Sequence, residues 1–228
     1  TDGVLTFTST IDSTGGAREL DIVTDDAAVT ISGAIGDSSA LSTLDINEAD
    51  AQTGAITLAA IGGSSAGVTG VTNIGNDDTT TLTLGGVDYN TGGATYYEAH
   101  ASSGNKILIT GVNADFDTSN DVLSFLVAPV ALGANAGTPT MTTGGGALSF
   151  ASTLDGNSSN TQNLTISTGG GAVTFTGKVG AAQALGALLV NHSAGAGTIT
   201  FTEDIGDTDA AGLTGTSTIG NSNTASVT

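Results

Sequence analysis

The sequence lacks cysteine and tryptophan, and it contains only two prolines and three basic residues in 228 positions. Without cysteine, the chain can form no disulfide and supplies no thiolate. The three basic residues are Arg18, Lys106 and Lys178. The chain has 22 acidic residues, so the formal net charge is -19. A surface of this charge repels phosphate backbones, which excludes nucleic acid as a partner. No apolar run is long enough to span a membrane.

Charged residues make up only 11% of the chain, whereas glycine occupies 35 positions. Glu and Lys are scarce, and no amphipathic stretch is long enough for a helix. Thr, Val, Ile and glycine-rich turns are abundant, and this composition favours many short strands. The alternative is a disordered linker, because low charge and abundant glycine also describe such segments. A linker, however, lacks the regular apolar triplets that this chain carries.

One short motif recurs along the chain: an apolar residue, Thr or Ser, a second apolar residue, and a Gly or Asp a few positions later. Val173-Thr174-Phe175 and Ile199-Thr200-Phe201 are two of its copies. In a strand, the two apolar side chains face inward and the hydroxyl between them faces water. The eight copies begin at Leu5, Val29, Ile56, Leu82, Leu123, Leu148, Val173 and Ile199.

The starting positions of successive copies differ by 24, 27, 26, 41, 25, 25 and 26, so one interval is longer by about half a unit. This period predicts an all-β fold, a parallel β-helix (β-solenoid) with turns of about 24–27 residues, in which each turn buries its apolar face against its neighbours. Second triplets such as Leu20-Asp21-Ile22 predict two or three strands per turn. The predicted core ladder takes the third motif residue of every copy: Phe7, Ile31, Leu58, Leu84, Phe125, Phe150, Phe175 and Phe201.

The long interval divides the predicted solenoid into three segments. We expect solenoid turns over 3–88, an irregular insertion or extra strand over 89–122, and open-ended solenoid turns over 123–228. The middle segment holds all three tyrosines, and the alternative is a thickened turn whose rings fill space. As a projecting loop, it would contact a partner through Tyr89, Tyr96, Tyr97 and His100.

A longer repeat overlies the short one, because residues 3–83 realign with residues 146–228. Leu5 matches Leu148 at an offset of 143, and Val29 matches Val173 at an offset of 144. Solenoids normally end in an atypical polar cap, and neither end of this sequence has one. We therefore expect an excerpt from a longer repetitive chain, or a chain that associates with copies of itself at its ends.

The candidate metal site places oxygen-bearing side chains at alternate positions, namely Asp115, Asp117, Ser119 and Asp121. Calcium favours several oxygen ligands from one flexible loop, so calcium is the candidate cofactor. The stretch lacks the central Gly of an EF-hand loop, and Leu126 stands where an acidic residue would close such a loop. The alternative is a plain acidic turn and a chain without a cofactor.

Catalysis is not expected. Glycan-cleaving sites need carboxylates that converge on one groove, whereas the adjacent pairs Asp25-Asp26 and Glu203-Asp204 are typical of solvated turns.

Ice binding would need an unbroken array of threonines. The column that starts at Thr8 is interrupted in sister turns by Ser32, Ala59, Gly85 and Ala151.

The repeats TGGGALSFASTLDG, STGGGAVTFTGKVG and AGTITFTEDIG resemble the β-solenoid regions of filamentous-haemagglutinin-like exoproteins and autotransporter adhesins. The resemblance covers most of the chain outside 89–122. It implies a right-handed parallel β-helix that serves as a stalk, adhesin or filament at a bacterial cell surface. The implied contacts are further turns of the same chain, other copies of it, and a cell-surface or glycan partner.

A second resemblance concerns the segment from Lys106 to Phe125, which is similar to stretches of calcium-dependent surface-layer and repeat-toxin proteins. The glycine-aspartate nonapeptides of those proteins are missing from it. This resemblance implies the alternative function, a calcium-dependent adhesin or surface-layer binding module.

Overall fold

The computed structural model describes residues 3–49, 51–102, 104, 106–157, 160–191, 195–207 and 212–228. Within these residues the chain is all-β, every strand pairing is parallel, and the strands stack as a β-solenoid of about eight turns. The predicted fold class is therefore confirmed.

The strands are β1 (Leu5–Phe7), β2 (Glu19–Ile22), β3 (Val29–Ile35), β4 (Thr43–Ile46), β5 (Ile56–Ile61), β6 (Thr72–Ile74), β7 (Thr81–Leu84), β8 (Asp88–Asn90), β9 (Thr95–Ala99), β10 (Lys106–Ile109), β11 (Asp115–Asp117), β12 (Leu123–Val127), β13 (Val130–Leu132), β14 (Thr140–Thr142), β15 (Leu148–Phe150), β16 (Leu154–Asp155), β17 (Leu164–Ser167), β18 (Val173–Phe175), β19 (Leu188–Val190), β20 (Ile199–Phe201) and β21 (Thr218–Ile219).

The strands form three parallel ladders, one on each side of the solenoid. Ladder 1 contains β1, β3, β5, β7, β10, β13 and β16, and single bridges extend it to Val179 and Ile205. Ladder 2 contains β8, β11, β14, β17, β19 and β21, and it joins ladder 1 because the end of the long strand β5 pairs with β8. Ladder 3 contains β2, β4, β6, β9, β12, β15, β18 and β20, and a bridge extends it to Val227. Each turn of the chain thus adds one strand or one bridge to every ladder, and we call each such addition a rung.

Alternation along each strand builds the core. In β18, Val173 and Phe175 are buried, whereas Thr174 between them is half-buried on the outer face. Parallel neighbours stack in register, so Val173 lies between Leu148 and Ile199 of the adjacent turns. The same residue position faces the core in every turn, and the apolar side chains of all three ladders form one continuous cluster.

The eight residues predicted to form one core ladder lie on two. The first four stack on ladder 1: Phe7, Ile31, Leu58 and Leu84. The last four stack on ladder 3: Phe125, Phe150, Phe175 and Phe201. Leu84 pairs with Ile109 in the next turn, and the chain then passes from Ile109 through β11 to Phe125 on ladder 3. The long interval of the motif is therefore one full turn plus the steps from ladder 1 to ladder 3.

The segment 89–122, predicted as an irregular insertion or extra strand, continues the solenoid. It contains β9, β10, β11 and most of β8, and these strands pair in register with strands of adjacent turns. What changes in this segment is the ladder on which the motif occurs. The Thr-containing triplets lie on ladder 1 up to Leu84 and on ladder 3 from Leu123 onward.

The corner between ladders 2 and 3 explains the repeated TGGGA sequences. The buried hydroxyl of Thr168 donates to the carbonyl oxygen of Gly171 at 2.6 Å, and Thr143 makes the equivalent bond to Gly146. A Cβ on Gly171 would lie 1.9 Å from the carbonyl oxygen of Gly146, and one on Gly197 would lie 1.8 Å from that of Gly171. Successive turns therefore approach so closely here that only glycine fits.

Ladder 3 also carries a column of stacked rings. Phe125, Phe150, Phe175 and Phe201 have successive centroid separations of 5.0, 5.2 and 4.7 Å and interplanar angles of 4°, 4° and 5°. Tyr97 extends the column at 5.4 Å from Phe125. Each buried ring adds a large apolar area and a favourable aromatic contact to the core.

We expect Phe150→Ala and Phe175→Ala each to lower the free energy of unfolding by roughly 3–5 kcal/mol, because each leaves a cavity between two stacked rings. Urea denaturation measures this loss. Val112→Ala is the control, since its side chain is 55% exposed and little should change. Unaltered unfolding of both Phe variants would contradict the core ladder.

Candidate functional surfaces

The aromatic residues of the middle turns occupy the core. Tyr89 is 1% exposed and Tyr97 is 0% exposed. Tyr89 stacks on Phe116 with a centroid separation of 4.7 Å, and Tyr97 meets Phe116 edge-on at 5.9 Å. Both tyrosines stand at inward positions of their strands, so they fill the interior and do not contact a partner. The prediction of a partner contact is corrected for these two residues.

The two buried hydroxyl groups differ in their bonding. The Tyr89 hydroxyl accepts a bond from the Gly86 N–H at 2.9 Å and donates to the Leu58 carbonyl oxygen at 3.1 Å. The Tyr97 hydroxyl has no hydrogen-bond partner among the described residues. Burial raises the pKa of both phenols, and the nearby Tyr89 adds to the increase for Tyr97. Both hydroxyls are therefore neutral at physiological pH.

Tyr96 and His100 are the two partner-contact candidates that lie at the surface. Tyr96 points outward from β9, in register with Asn73 and Ser124 of the adjacent turns. The His100 side chain is 45% exposed, and its Nδ1 contacts the carbonyl oxygen of Asp77. A contact between these two residues and a partner stays a prediction.

The predicted calcium ligands lie on β11 and in the turn after it. Asp115 and Asp117 are half-buried on the outer face, on either side of the buried Phe116. Asp115 Oδ1 accepts a bond from the Thr140 hydroxyl at 2.5 Å, and Asp117 Oδ1 accepts one from the Ser119 N–H at 2.8 Å. Two of the four candidates thus share one strand face, and each already takes part in a local hydrogen bond.

Two further acidic residues, Asp121 and Asp88, lie near this site but not on strand β11. Asp121 is exposed at the end of the turn, and its carbonyl oxygen accepts a bond from the Thr118 hydroxyl at 2.5 Å. Asp88 on β8 lies directly opposite Asp115 in the ladder. Across the described ranges, no group of three or more His, Asp or Glu residues is arranged to hold a metal ion. Calcium binding stays a prediction.

Outward hydroxyl groups form two columns instead of one. On ladder 1 the column is Thr6, Thr30, Thr57 and Thr83. On ladder 3 it is Ser124, Ser149, Thr174 and Thr200. Each column is unbroken over four turns, unlike the column that starts at Thr8. Ladder assignment is needed to see this, because the copies divide between two sides of the solenoid.

The outermost rungs of the ladders expose apolar side chains of a kind that inner rungs bury. Leu5 is 37% exposed, whereas Val29, which stacks on it, is 0% exposed. Ile205 and Val227 at the opposite end are 43% and 50% exposed. We call these surfaces the first edge (Leu5, Phe7, Ile11 and Leu20) and the last edge (Phe201, Ile205, Leu213, Ile219 and Val227).

The last edge has a charged rim. Lys178 Nζ lies 3.1 Å from Asp207 Oδ1, and this hydrogen bond raises the pKa of the lysine. Together with Asp204 and Ile205, these residues line a shallow groove beside the final rung of ladder 1. The edge therefore presents an apolar centre with ionic groups at one side.

No protein family matches this sequence, and no curated protein or solved structure is significantly similar to it. The likeness to filamentous-haemagglutinin-like exoproteins and autotransporter adhesins thus rests on the repeat sequences alone. The β-solenoid fold is what the structure establishes. The described residues include no helix with the length and apolar character needed to cross a membrane.

We expect Tyr97→Phe to raise the free energy of unfolding by about 1 kcal/mol, because it removes a buried hydroxyl that lacks a partner. Tyr89→Phe should lower it by about 1 kcal/mol, since two hydrogen bonds are lost. Chemical denaturation of the two matched variants gives both values. Equal effects of the two substitutions would contradict the hydrogen-bond assignment.

Proposed function

We propose that this chain is a structural repeat protein of the bacterial cell exterior, a stiff segment of a surface stalk or filament with an adhesive or matrix role. The role is mechanical and not enzymatic: the chain supplies length, rigidity and a displayed surface. The observation that supports this most directly is that about eight turns stack in register along three parallel ladders around one continuous core. The repeat resemblance to large exported surface proteins supports the location.

Stiffness follows from the ladders. Each turn is bonded to the next along three sides, and the inward residues of successive turns pack directly on one another. About eight turns spaced at ~4.8 Å make a rod of roughly 40 Å. Bending such a rod would stretch hydrogen bonds on one side and compress packed side chains on another. The fold therefore suits a spacer more than a flexible linker.

The edges suit axial growth. A parallel strand at the edge of a sheet offers N–H and C=O groups to another strand, and an apolar edge favours such pairing. At this chain's edges, core residues such as Leu5 and Val227 are partly exposed. Further turns of the same chain or another copy would bury them. The net charge of -19 opposes side-by-side packing of rods and leaves axial contact favoured.

Electron microscopy of the purified chain tests this function, and we expect rods longer than one copy with an axial spacing of about 4.8 Å. Leu5→Lys and Val227→Lys should each abolish the long rods, because a charge at an edge blocks strand addition. Val112→Lys adds the same charge at an exposed position between β10 and β11 and should leave the rods intact. Short, discrete particles from the unmodified chain would overturn the filament proposal.

A calcium-dependent adhesin or surface-layer module is the second candidate. Its support is the opposed pair Asp88 and Asp115, with Asp117 nearby on the same face. Like charges directly opposite in a sheet are destabilising, and a bound cation would offset their repulsion.

In this alternative, calcium raises the melting temperature relative to a chelator, because the ion binds only the folded chain. Asp117→Asn should abolish the increase, whereas Asp25→Asn, in a distant turn, should preserve it. A melting temperature that does not respond to calcium would eliminate this candidate.

A further inference from the structure

A groove lies on the outer face of ladder 1, beside strands β10, β13 and β16. Its volume is about 310 Å³, which is within the size range of small-molecule sites. The lining crosses four successive turns and includes Lys106, Pro129, Ala131, Thr153, Asp155 and Gln183. Strand register explains the concave shape, because Ala131 stands between Leu108 and Asp155 in its outer column. The floor is low where a methyl group separates two larger side chains.

Lys106 supplies the groove with a positive charge. Its side chain is half-buried and points outward from β10, since Ile107 beside it faces the core. No described residue forms an ion pair with its ammonium group, whereas Lys178 Nζ lies 3.1 Å from Asp207 Oδ1. In a chain with 22 acidic residues, the Lys106 ammonium group thus remains available to an anionic ligand.

Asp155 lies at the other end of the groove and is only 8% exposed. Its Oδ2 accepts a bond from the Thr153 hydroxyl at 2.9 Å. Its Oδ1 accepts bonds from the N–H groups of Ala182 and Gln183 at 2.9 and 3.4 Å. These bonds fix the turn that forms one wall of the groove. A carboxylate has about four acceptor positions, so Asp155 can accept a further hydrogen bond from a ligand hydroxyl.

We propose that this groove binds a hexuronate, a sugar whose C6 is a carboxylate, as a single residue of an otherwise neutral glycan. The sugar carboxylate pairs with the Lys106 ammonium group, and the sugar hydroxyls donate to Asp155. The apolar side of the sugar ring lies over Pro129 and Ala131. This inference rests on the adhesive part of the proposed function and gives that role a site and a ligand class.

Opposite charges at the two ends of the groove restrict the ligand. Lys106 and Asp155 belong to rungs two apart, a separation of ~10 Å along the solenoid axis. A uronate places its carboxylate on one side of the ring and hydroxyl donors on the other, which matches this polarity. Sulfate and phosphate groups lack such donors and would be repelled by the Asp155 carboxylate. The net charge of -19 also repels polyanions, so an isolated uronate in a neutral glycan is favoured.

Lys178 provides a matched control for Lys106. Ile107 and Val179 occupy the same inward position of ladder 1, three rungs apart. The two lysines are the residues that precede them, so both lie on one outer column. Removal of either lysine changes the net charge equally, but only Lys106 lines this groove.

NMR titration of the full chain with the methyl glycosides of glucuronate and galacturonate tests the site. We expect Lys106→Met to weaken binding about tenfold, because a charge-assisted hydrogen bond is lost while the aliphatic stem is kept. Lys178→Met should bind like the unmodified chain. Ala131→Leu should abolish binding at unchanged charge, because it fills the floor; Leu108 already occupies the same face of the adjacent strand. The methyl esters of both sugars should bind as weakly as the acids bind to Lys106→Met.

An absence of binding by either sugar would overturn the site, as would equal losses in Lys106→Met and Lys178→Met. Equally strong binding of inorganic sulfate would show a general anion site and overturn the sugar assignment. Rods by microscopy without uronate binding would overturn the site and preserve the filament. Uronate binding without rods would preserve the site and overturn the filament function.

Discussion

Register between parallel strands of successive turns is the constraint on which this structure depends. Apart from a bulge between Ile31 and Ala34, the strands stack in register. Each inward residue therefore contacts the equivalent residue of the next turn, and one position in the repeat decides the chemistry of an entire column. On ladder 3 the column changes from Ile22, Ile46 and Ile74 to Tyr97 and then to four phenylalanines. The same constraint leaves outer positions free for hydroxyls and charges.

The middle turns show how the Thr-containing motif changes ladder while the strands keep this register. Up to Leu84 the Thr-containing motif lies on ladder 1, and from Leu123 it lies on ladder 3. The rings of Tyr89, Tyr97 and Phe116 pack together where the change occurs. Large rings fill the interior where the motif passes from ladder 1 to ladder 3. The concentration of aromatic residues therefore serves packing, and an exposed loop is not needed to explain it.

The filament proposal follows from the same physics. An inner rung is buried by two neighbours, whereas an edge rung has one, so side chains of equal character are 0% exposed at Val29 and 50% exposed at Val227. In the proposed filament, the contact that covers an edge rung resembles another turn, because a parallel rung supplies both strand hydrogen bonds and an apolar column. Acidic groups elsewhere on the surface favour solubility and disfavour lateral association.

The sequence by itself determined the all-β class, the regular period of the turns, and which residues of each triplet face inward, because these depend on local alternation and regular spacing. Only the tertiary structure decided which ladder each triplet joins. The long interval between Leu82 and Leu123 is compatible with an insertion or with a change of ladder, and the stacking of Ile109 on Leu84 selects the second. Burial of Tyr89 and Tyr97 follows from that choice, since a side chain's surroundings depend on the turn above and the turn below.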